Sequence, residues 1–220
     1  MGAIYLVRHG QAPAHAYGVG STDGTGPGLT DLGFAQARRT GELLARIVPT
    51  FDAAISGDLP RQRDTLTCVL EGFGTRPDHQ VDADWNEYEL PAELMTAAAD
   101  LFADRAAYQK VLDAGLDAWI AGTQPADETF AEFLARTHAA SQRAAELAGS
   151  GQNVLITSSA GTIGLLVSQL WGVPPAGWPA VSRTFVNASV TKIVSGRSGL
   201  TVVSVNEHGH LASDGILSFR

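Results

Sequence analysis

Arg8-His9-Gly10 sets side by side three residue types that together suggest a chemistry. An imidazole at this position is a candidate nucleophile, and the neighbouring guanidinium can hold an anionic group against it with a rigid fork of donors. Gly10 lets the backbone approach closely. Arg61 offers a second guanidinium. It follows Pro60, a residue suited to the first turn of a helix, where backbone N–H groups and the helix dipole already favour an anion. Thr65 comes one turn later on the same face, whereas Arg63 points elsewhere and reads as a surface residue. A third polar segment, Ser158-Ser159-Ala160-Gly161, separates an apolar run from a helical pattern and brings hydroxyls and helix-start N–H groups.

These segments are useful only if the chain brings them together, and the surrounding pattern predicts that it does. Ala3 to Val7 is a short apolar run that ends at polar residues, as a buried strand entering a loop would. Residues 11–29 are rich in Gly, Pro, Ser and Thr and read as an irregular loop. Thr30 is a candidate N-cap for a helix whose apolar face carries Ala37, Leu44, Ala45 and Val48, and Pro49 ends it. Phe51 to Ser56 reads as a second strand, and a helix runs from Pro60 to about Gly72. Asn153 to Thr157 is a third strand followed by a helix over Gly161 to Trp171. Ser189 to Val194 and Thr201 to Val205 form two further strands around a Ser/Gly/Arg turn.

Strands alternating with helices at short intervals predict an α/β fold: a three-layer sandwich with a mostly parallel central sheet and helices on both faces. Residues 75–150 interrupt this alternation with alanine-rich helical patterns at 92–104, 105–121 and 127–149 and no clear strand. They read as a helical insertion over the site within one domain spanning 1–220. In such a sheet, ligands gather at the carboxyl ends of the strands, which is where all three polar segments fall.

Leu6-Val7-Arg8-His9-Gly10-Gln11, Leu29-Thr30-Asp31-Leu32-Gly33 with Gln36-Ala37, and the run from Ser56 to Thr65 together resemble the histidine phosphatase superfamily, also called phosphoglycerate mutase-like. The resemblance draws on strands from both ends of the chain and leaves the insertion as the variable part. It implies a phosphohistidine mechanism that needs neither metal nor cofactor. His9 would attack a phosphoryl group, Arg8 and Arg61 would hold its oxygens, and water would hydrolyse the phosphoenzyme. Gln11, Ser158, Ser159 and Ala160 are the further expected phosphate contacts. The family draws the leaving-group proton from a carboxyl group in the insertion. Here Trp85-Asn86-Glu87-Tyr88-Glu89-Leu90 looks like that segment, with Glu87 as the acid and Glu89 as runner-up. Trp85 and Tyr88 would supply the apolar surround that raises the pKa.

The chain departs from the family at one position. Where the family carries Ser-His-Gly, this sequence has Ser158-Ser159-Ala160, so the second histidine is replaced by Ser159. A hydroxyl and helix N–H groups still bind a phosphate oxygen, but without the charge of an imidazolium. A phosphomonoesterase is therefore the leading expectation. The alternatives are a phosphoglycerate mutase-type phosphotransferase, a phosphate-binding relative with little or no turnover, and, remotely, a serine hydrolase using Ser159 with partners among Glu207, His208, His210 and Asp214. His208 and His210 lie near the C-terminus, where the family often carries such a pattern, and structural roles are favoured for both. His15 falls in the loop on the catalytic side, and His79 and His138 have no motif around them.

Composition sets the outer bounds. The 220 residues carry a formal net charge of −8, from 23 acidic and 15 basic side chains. That balance argues against nucleic acid or an anionic membrane as partner and for a small phosphorylated substrate. A second copy of the chain, as a homodimer, is the one macromolecular partner left open. Two of the basic residues are lysines, leaving thirteen arginines, of which only Arg8 and Arg61 stand where phosphate chemistry requires them. No apolar run approaches the roughly 18 residues of a membrane span. The single cysteine, Cys68, lies in an apolar helical setting, which excludes an intrachain disulfide and suits a cytoplasmic location.

Overall fold

A computed structural model of the chain describes residues 1–13, 28–75, 77, 79–89 and 105–219. His15 and the helical pattern expected at 92–104 lie outside the described residues. The elements, in chain order, are β1 (Gly2–Arg8), α1 (Asp31–Ile47), β2 (Ala53–Ser56), α2 (Pro60–Phe73) and β3 (His79–Val81), followed by a 3-10 turn at Ala83–Trp85. After these come α3 (Arg105–Ile120), α4 (Phe130–Leu147), β4 (Asn153–Ser158), α5 (Ala160–Trp171), a 3-10 turn at Pro175–Gly177, α6 (Trp178–Ser182), β5 (Val190–Gly196), β6 (Gly199–Glu207) and α7 (Gly209–Ala212).

The strands form one six-stranded sheet in the order β3-β2-β4-β1-β5-β6. β1 runs parallel to β4, β4 to β2 and β2 to β3, while β5 and β6 form an antiparallel hairpin added beside β1. The mostly parallel sheet expected from the sequence is present. β3 is the addition, because residues 75–150 contribute a strand as well as helices. It is three exposed residues long, His-Gln-Val, and edge pairing with β2 sets it by backbone hydrogen bonds rather than by an apolar pattern.

Strand alternation sorts the core into two layers. Tyr5 and Val7 of β1 pack with Ala37 and Leu44 of α1 and with Leu66, Val69, Leu70 and Phe73 of α2. Ile4 and Leu6 face the other way, toward Ala140 and Ala144 of α4 and Ile163 and Leu166 of α5. Leu6, Val7, Leu155 and Ile156 are completely buried, and each such side chain stabilises the fold by roughly 1.5–3 kcal/mol. Cys68 is buried in the first of these layers and is a free thiol.

The register of the three central strands sets the position of the chemistry. Arg8 pairs with Ser158 across β1 and β4, and Ser56 pairs with Thr157 across β2 and β4. The chain therefore leaves all three strands at one level, placing His9, Gly57 and Ser159 at the same edge. α1 begins at this edge because Thr30 caps it, accepting a hydrogen bond from the Gly33 N–H at 3.1 Å.

Candidate active site

His9 follows β1 and is almost completely buried. Its Nδ1 lies 2.7 Å from the Gly10 carbonyl oxygen. A carbonyl only accepts, so Nδ1 carries the hydrogen and the ring lone pair is on Nε2. Burial, then the positive charges of Arg61 and Arg8, hold the His9 pKa well below its ordinary value, while the Gly10 carbonyl works in the opposite direction. The result is a neutral imidazole, the form a nucleophile requires.

The loop carrying His9 is held on several sides. The Gly10 N–H donates to Thr65 Oγ1 at 3.0 Å, and Thr65 donates in turn to the Arg61 carbonyl at 2.6 Å, which ties the His9 loop to the first turns of α2. A Cβ on Gly10 would lie 2.5 Å from the Gly33 carbonyl oxygen, and one on Gly33 would lie 2.1 Å from that of Gln11. Only glycine at both positions lets the loop rest on the start of α1. Asn187 Nδ2 donates to the His9 carbonyl at 3.2 Å, and the Ala188 N–H is shared between the Arg8 and His9 carbonyls at 3.1 and 3.3 Å.

Arg8 and Arg61 are both buried, and Arg8 is anchored by donating Nη1 to the Phe185 carbonyl. Their charges reach the His9 ring and also the Glu87 carboxyl, so all four groups share one electrostatic neighbourhood. Burial is the largest influence on Glu87 and raises its pKa above the ordinary carboxylate value. The Gly161 N–H, donating to Oε2 at 3.1 Å, the two guanidiniums, and the Tyr88 N–H at 3.3 Å oppose that rise. Of the two rings expected around this carboxyl, Trp85 is buried in the core layer of Ile4 and Leu6, and Tyr88 packs on a separate aromatic cluster. Tyr88 stacks on Trp119, with ring centroids 5.3 Å apart, and also meets Phe133 and Trp178. Glu89 is exposed, so Glu87 rather than the runner-up occupies the shared neighbourhood.

The remaining expected phosphate contacts separate. Ser159 is completely buried at the N-cap of α5, and Ala160 begins that helix, where the first N–H groups have no partner within the helix. The Ser158 hydroxyl turns away and donates to the Trp85 carbonyl at 2.6 Å, so it fastens β4 to the segment carrying Glu87. Gln11 is drawn toward α1: its Oε1 accepts from Thr30 Oγ1 at 2.8 Å and its N–H donates to Gln36 Oε1 at 2.9 Å. Arg63 is exposed, as expected of a surface residue, and pairs with Asp58.

The C-terminal histidines take structural positions. His210 Nε2 lies 2.9 Å from Thr40 Oγ1, and burial, followed by the charges of Arg39 and His208, lowers its pKa to about 4. His208 Nδ1 contacts the Asn206 carbonyl. The recorded side-chain partner of Ser159 is the Gln62 amide, which is not a base, and Ser159 has an ordinary extended backbone at φ −119°. A serine hydrolase needs a base at the hydroxyl and a strained nucleophile elbow, and neither is found among the described residues.

Three positioning residues escaped sequence reasoning. Arg136 on α4 donates to the carbonyls of Asp84, Asn86 and Glu87 at 3.0, 2.8 and 3.2 Å while paired with Glu128. Gln36 and Gln62 both lie inside the motifs that carry the family resemblance, at positions to which the resemblance assigns no role.

Residues 4–208 match the family described as the histidine phosphatase superfamily, branch 1. The chain belongs to that family. It is 33% identical over 177 residues to an adenosylcobalamin/alpha-ribazole phosphatase of Salmonella typhi, covering 79% of this chain and 81% of that protein. A 2,3-bisphosphoglycerate-dependent phosphoglycerate mutase of Azorhizobium caulinodans is 41% identical over 71 residues, a match limited to 32% of this chain and 34% of the mutase. Among solved structures, the alpha-ribazole phosphatase of Shigella flexneri superposes with a TM-score of 0.69 at 25% identity, covering 93% of this chain and 96% of that one. A mycobacterial glucosyl-3-phosphoglycerate phosphatase shares the fold, with a TM-score of 0.66 at 23% identity over 94% of this chain and all of that one.

Proposed function

We propose that the chain is a phosphomonoesterase that hydrolyses a small phosphorylated substrate through a phosphohistidine on His9. The observation that carries this reading is the neutral, Nδ1-protonated His9 beside two buried arginines, with a carboxyl of raised pKa in the same neighbourhood.

In the first step, His9 Nε2 forms a bond to phosphorus as the bond from phosphorus to the leaving oxygen breaks, and Glu87 gives its proton to that oxygen. The ring becomes cationic, and the Gly10 carbonyl on Nδ1 stabilises it. Arg8 and Arg61 balance charge on the equatorial oxygens. Water then attacks phosphorus, its proton passes to the Glu87 carboxylate, and inorganic phosphate departs with His9 neutral again.

Hydrolysis is favoured over mutase chemistry because a mutase must retain its phosphoenzyme, and this chain lacks the second histidine that would contact the phosphoryl group. The relative matched over most of the chain is a phosphatase, whereas the mutase match spans about a third. Alpha-ribazole 5′-phosphate is accordingly the first physiological candidate to assay. The buried free Cys68 supports work in a reducing cytoplasm, and no helix among the described residues is long and apolar enough to cross a membrane.

The deciding measurement is hydrolysis of para-nitrophenyl phosphate by wild type and His9→Ala, with alkaline-quench detection of the phosphoenzyme, since a phosphohistidine survives base and is lost in acid. Turnover and phosphoenzyme are expected in wild type, and both should vanish in the alanine variant. An alanine variant that remains active would overturn the mechanism.

A further inference from the structure

Gln62 is completely buried on α2, and every polar atom of its side chain is engaged. Its Nε2 donates to the Trp85 carbonyl at 3.1 Å and to Ser159 Oγ at 3.0 Å, while its Oε1 accepts from the Leu59 N–H at 3.3 Å. The orientation of the amide is dictated by chemistry. Turning it over would set its oxygen against the Trp85 carbonyl, which cannot donate and which already accepts from Ser158 at 2.6 Å. The Gln62 amide nitrogen therefore faces Ser159, and Ser159 Oγ must accept.

A serine at a helix N-cap ordinarily turns its oxygen to the N–H groups of the first turn. Ser159 makes no such bond to α5. Its hydroxyl is held by Gln62 instead, and because the oxygen is already accepting, the hydroxyl hydrogen remains for donation. The residue stands between the two reacting partners: the Ser158 carbonyl just before it accepts from the His9 N–H at 2.9 Å, and the Gly161 N–H just after it holds Glu87.

We propose that Gln62 is a positioning residue which, with Ser159, makes a neutral substitute for the family's second histidine by fixing the Ser159 hydroxyl as a hydrogen-bond donor to the transferring phosphoryl group. This rests on the phosphatase reading. A neutral donor is roughly half as strong as a charge-assisted one and does not titrate.

The test compares wild type, Gln62→Glu, Ser159→Ala and the double variant in para-nitrophenyl phosphate hydrolysis and in inhibition by orthophosphate, from pH 4 to 9. An ionised glutamate of the same size can only accept, so it takes the serine's hydrogen for itself. For Gln62→Glu, kcat is expected to fall about 10- to 100-fold at neutral pH, with weaker orthophosphate inhibition and recovery toward acid pH, where the carboxyl can donate again. Ser159→Ala should lose a similar factor without acid recovery, and the double variant should be no worse than Ser159→Ala. Unchanged kinetics in either single variant, or losses that multiply in the double, would overturn the proposal.

If Gln62→Glu does not fold, Gln62→Met enters the same cycle, with loss at all pH values and the same non-additivity expected. A wild type that binds orthophosphate without turning over any ester would sink the phosphatase reading alone. Orthophosphate affinities of the four proteins, measured by calorimetry, would then decide the role of Gln62 and Ser159 by the same criteria.

Discussion

Glu87 illustrates how much one residue's role depends on its surroundings. In the sequence it is one of two glutamates two positions apart; in the structure it is half-buried and bonded to the Gly161 N–H, next to a Tyr88 ring that packs on Trp119, Phe133 and Trp178, while Glu89 is exposed. Burial raises its pKa, so it keeps its proton to higher pH than an ordinary carboxyl. The acid must be protonated to act, hence activity on an alkyl phosphate should fall as pH rises through that raised pKa. Glu87→Gln is expected to lose about 10²- to 10⁴-fold in kcat/KM on an alkyl phosphate and to abolish this fall. The loss in kcat/KM on para-nitrophenyl phosphate should be much smaller, because that leaving group departs without a proton and kcat/KM does not include the later hydrolysis of the phosphoenzyme, in which Glu87 acts as base on both substrates. Steady-state pH profiles with the two substrates check both statements, and equal losses on both would remove Glu87 from the role of acid. His9, Arg8 and Arg61 were legible because they lie in motifs beside strand ends and a helix start. Gln62 was not, because its role exists only through Trp85 and Ser159, residues 23 and 97 positions away.

At the level of elements, α4 lies in the segment that reads as an insertion and braces the backbone carrying Glu87. Arg136 reaches across to three consecutive-region carbonyls, those of Asp84, Asn86 and Glu87, and its plane is fixed by Glu128 and by the Phe133 ring 4.7 Å away. Arg136→Gln should lower stability by about 1–3 kcal/mol, since partly buried carbonyls lose their donor. It should also lower kcat on an alkyl phosphate, with no additional loss when combined with Glu87→Gln. Chemical denaturation and the double-mutant cycle measure the two effects separately, and multiplying kinetic losses would mean that Arg136 does not act through Glu87. The alanine-rich pattern at 127–149 predicts a helix, and α4 is found there at Phe130–Leu147. Periodicity carries no information about which polar residue on its face meets the 84–87 backbone. β3 was missed for a related reason: an exposed three-residue edge strand is specified by its neighbour β2 and leaves no hydrophobic signature.

Across the whole molecule, the two ends of the chain meet behind the nucleophile. Gln36 accepts from the Gln11 N–H and donates to the Ile216 carbonyl and Ser218 Oγ at 2.7 and 2.8 Å. Ser218 donates to Asn187 Oδ1 at 3.0 Å, and Asn187 holds the His9 carbonyl. Removing the residues after Gly215 should therefore lower the thermal midpoint and kcat together, with wild-type secondary structure retained. Calorimetry, circular dichroism and para-nitrophenyl phosphate turnover test this, and an unchanged kcat would show that the nucleophile loop does not depend on the C-terminal strut.

The sequence by itself determined the α/β class and most of the strands and helices, and it singled out His9, Arg8, Arg61 and Glu87 as the candidates for nucleophile, phosphate clamp and acid. Such information is local: strand and helix periods, a proline in a first helical turn, and a histidine between arginine and glycine all lie within a few residues of one another. Only the tertiary structure decided which partner each neighbouring hydroxyl meets. Ser158 and Ser159 are adjacent and chemically identical, yet one is turned to the Trp85 carbonyl and the other is held by Gln62. Hydrogen-bond direction is set by the partner that happens to face each oxygen, and those partners come from α2 and from the insertion, brought to β4 only by folding.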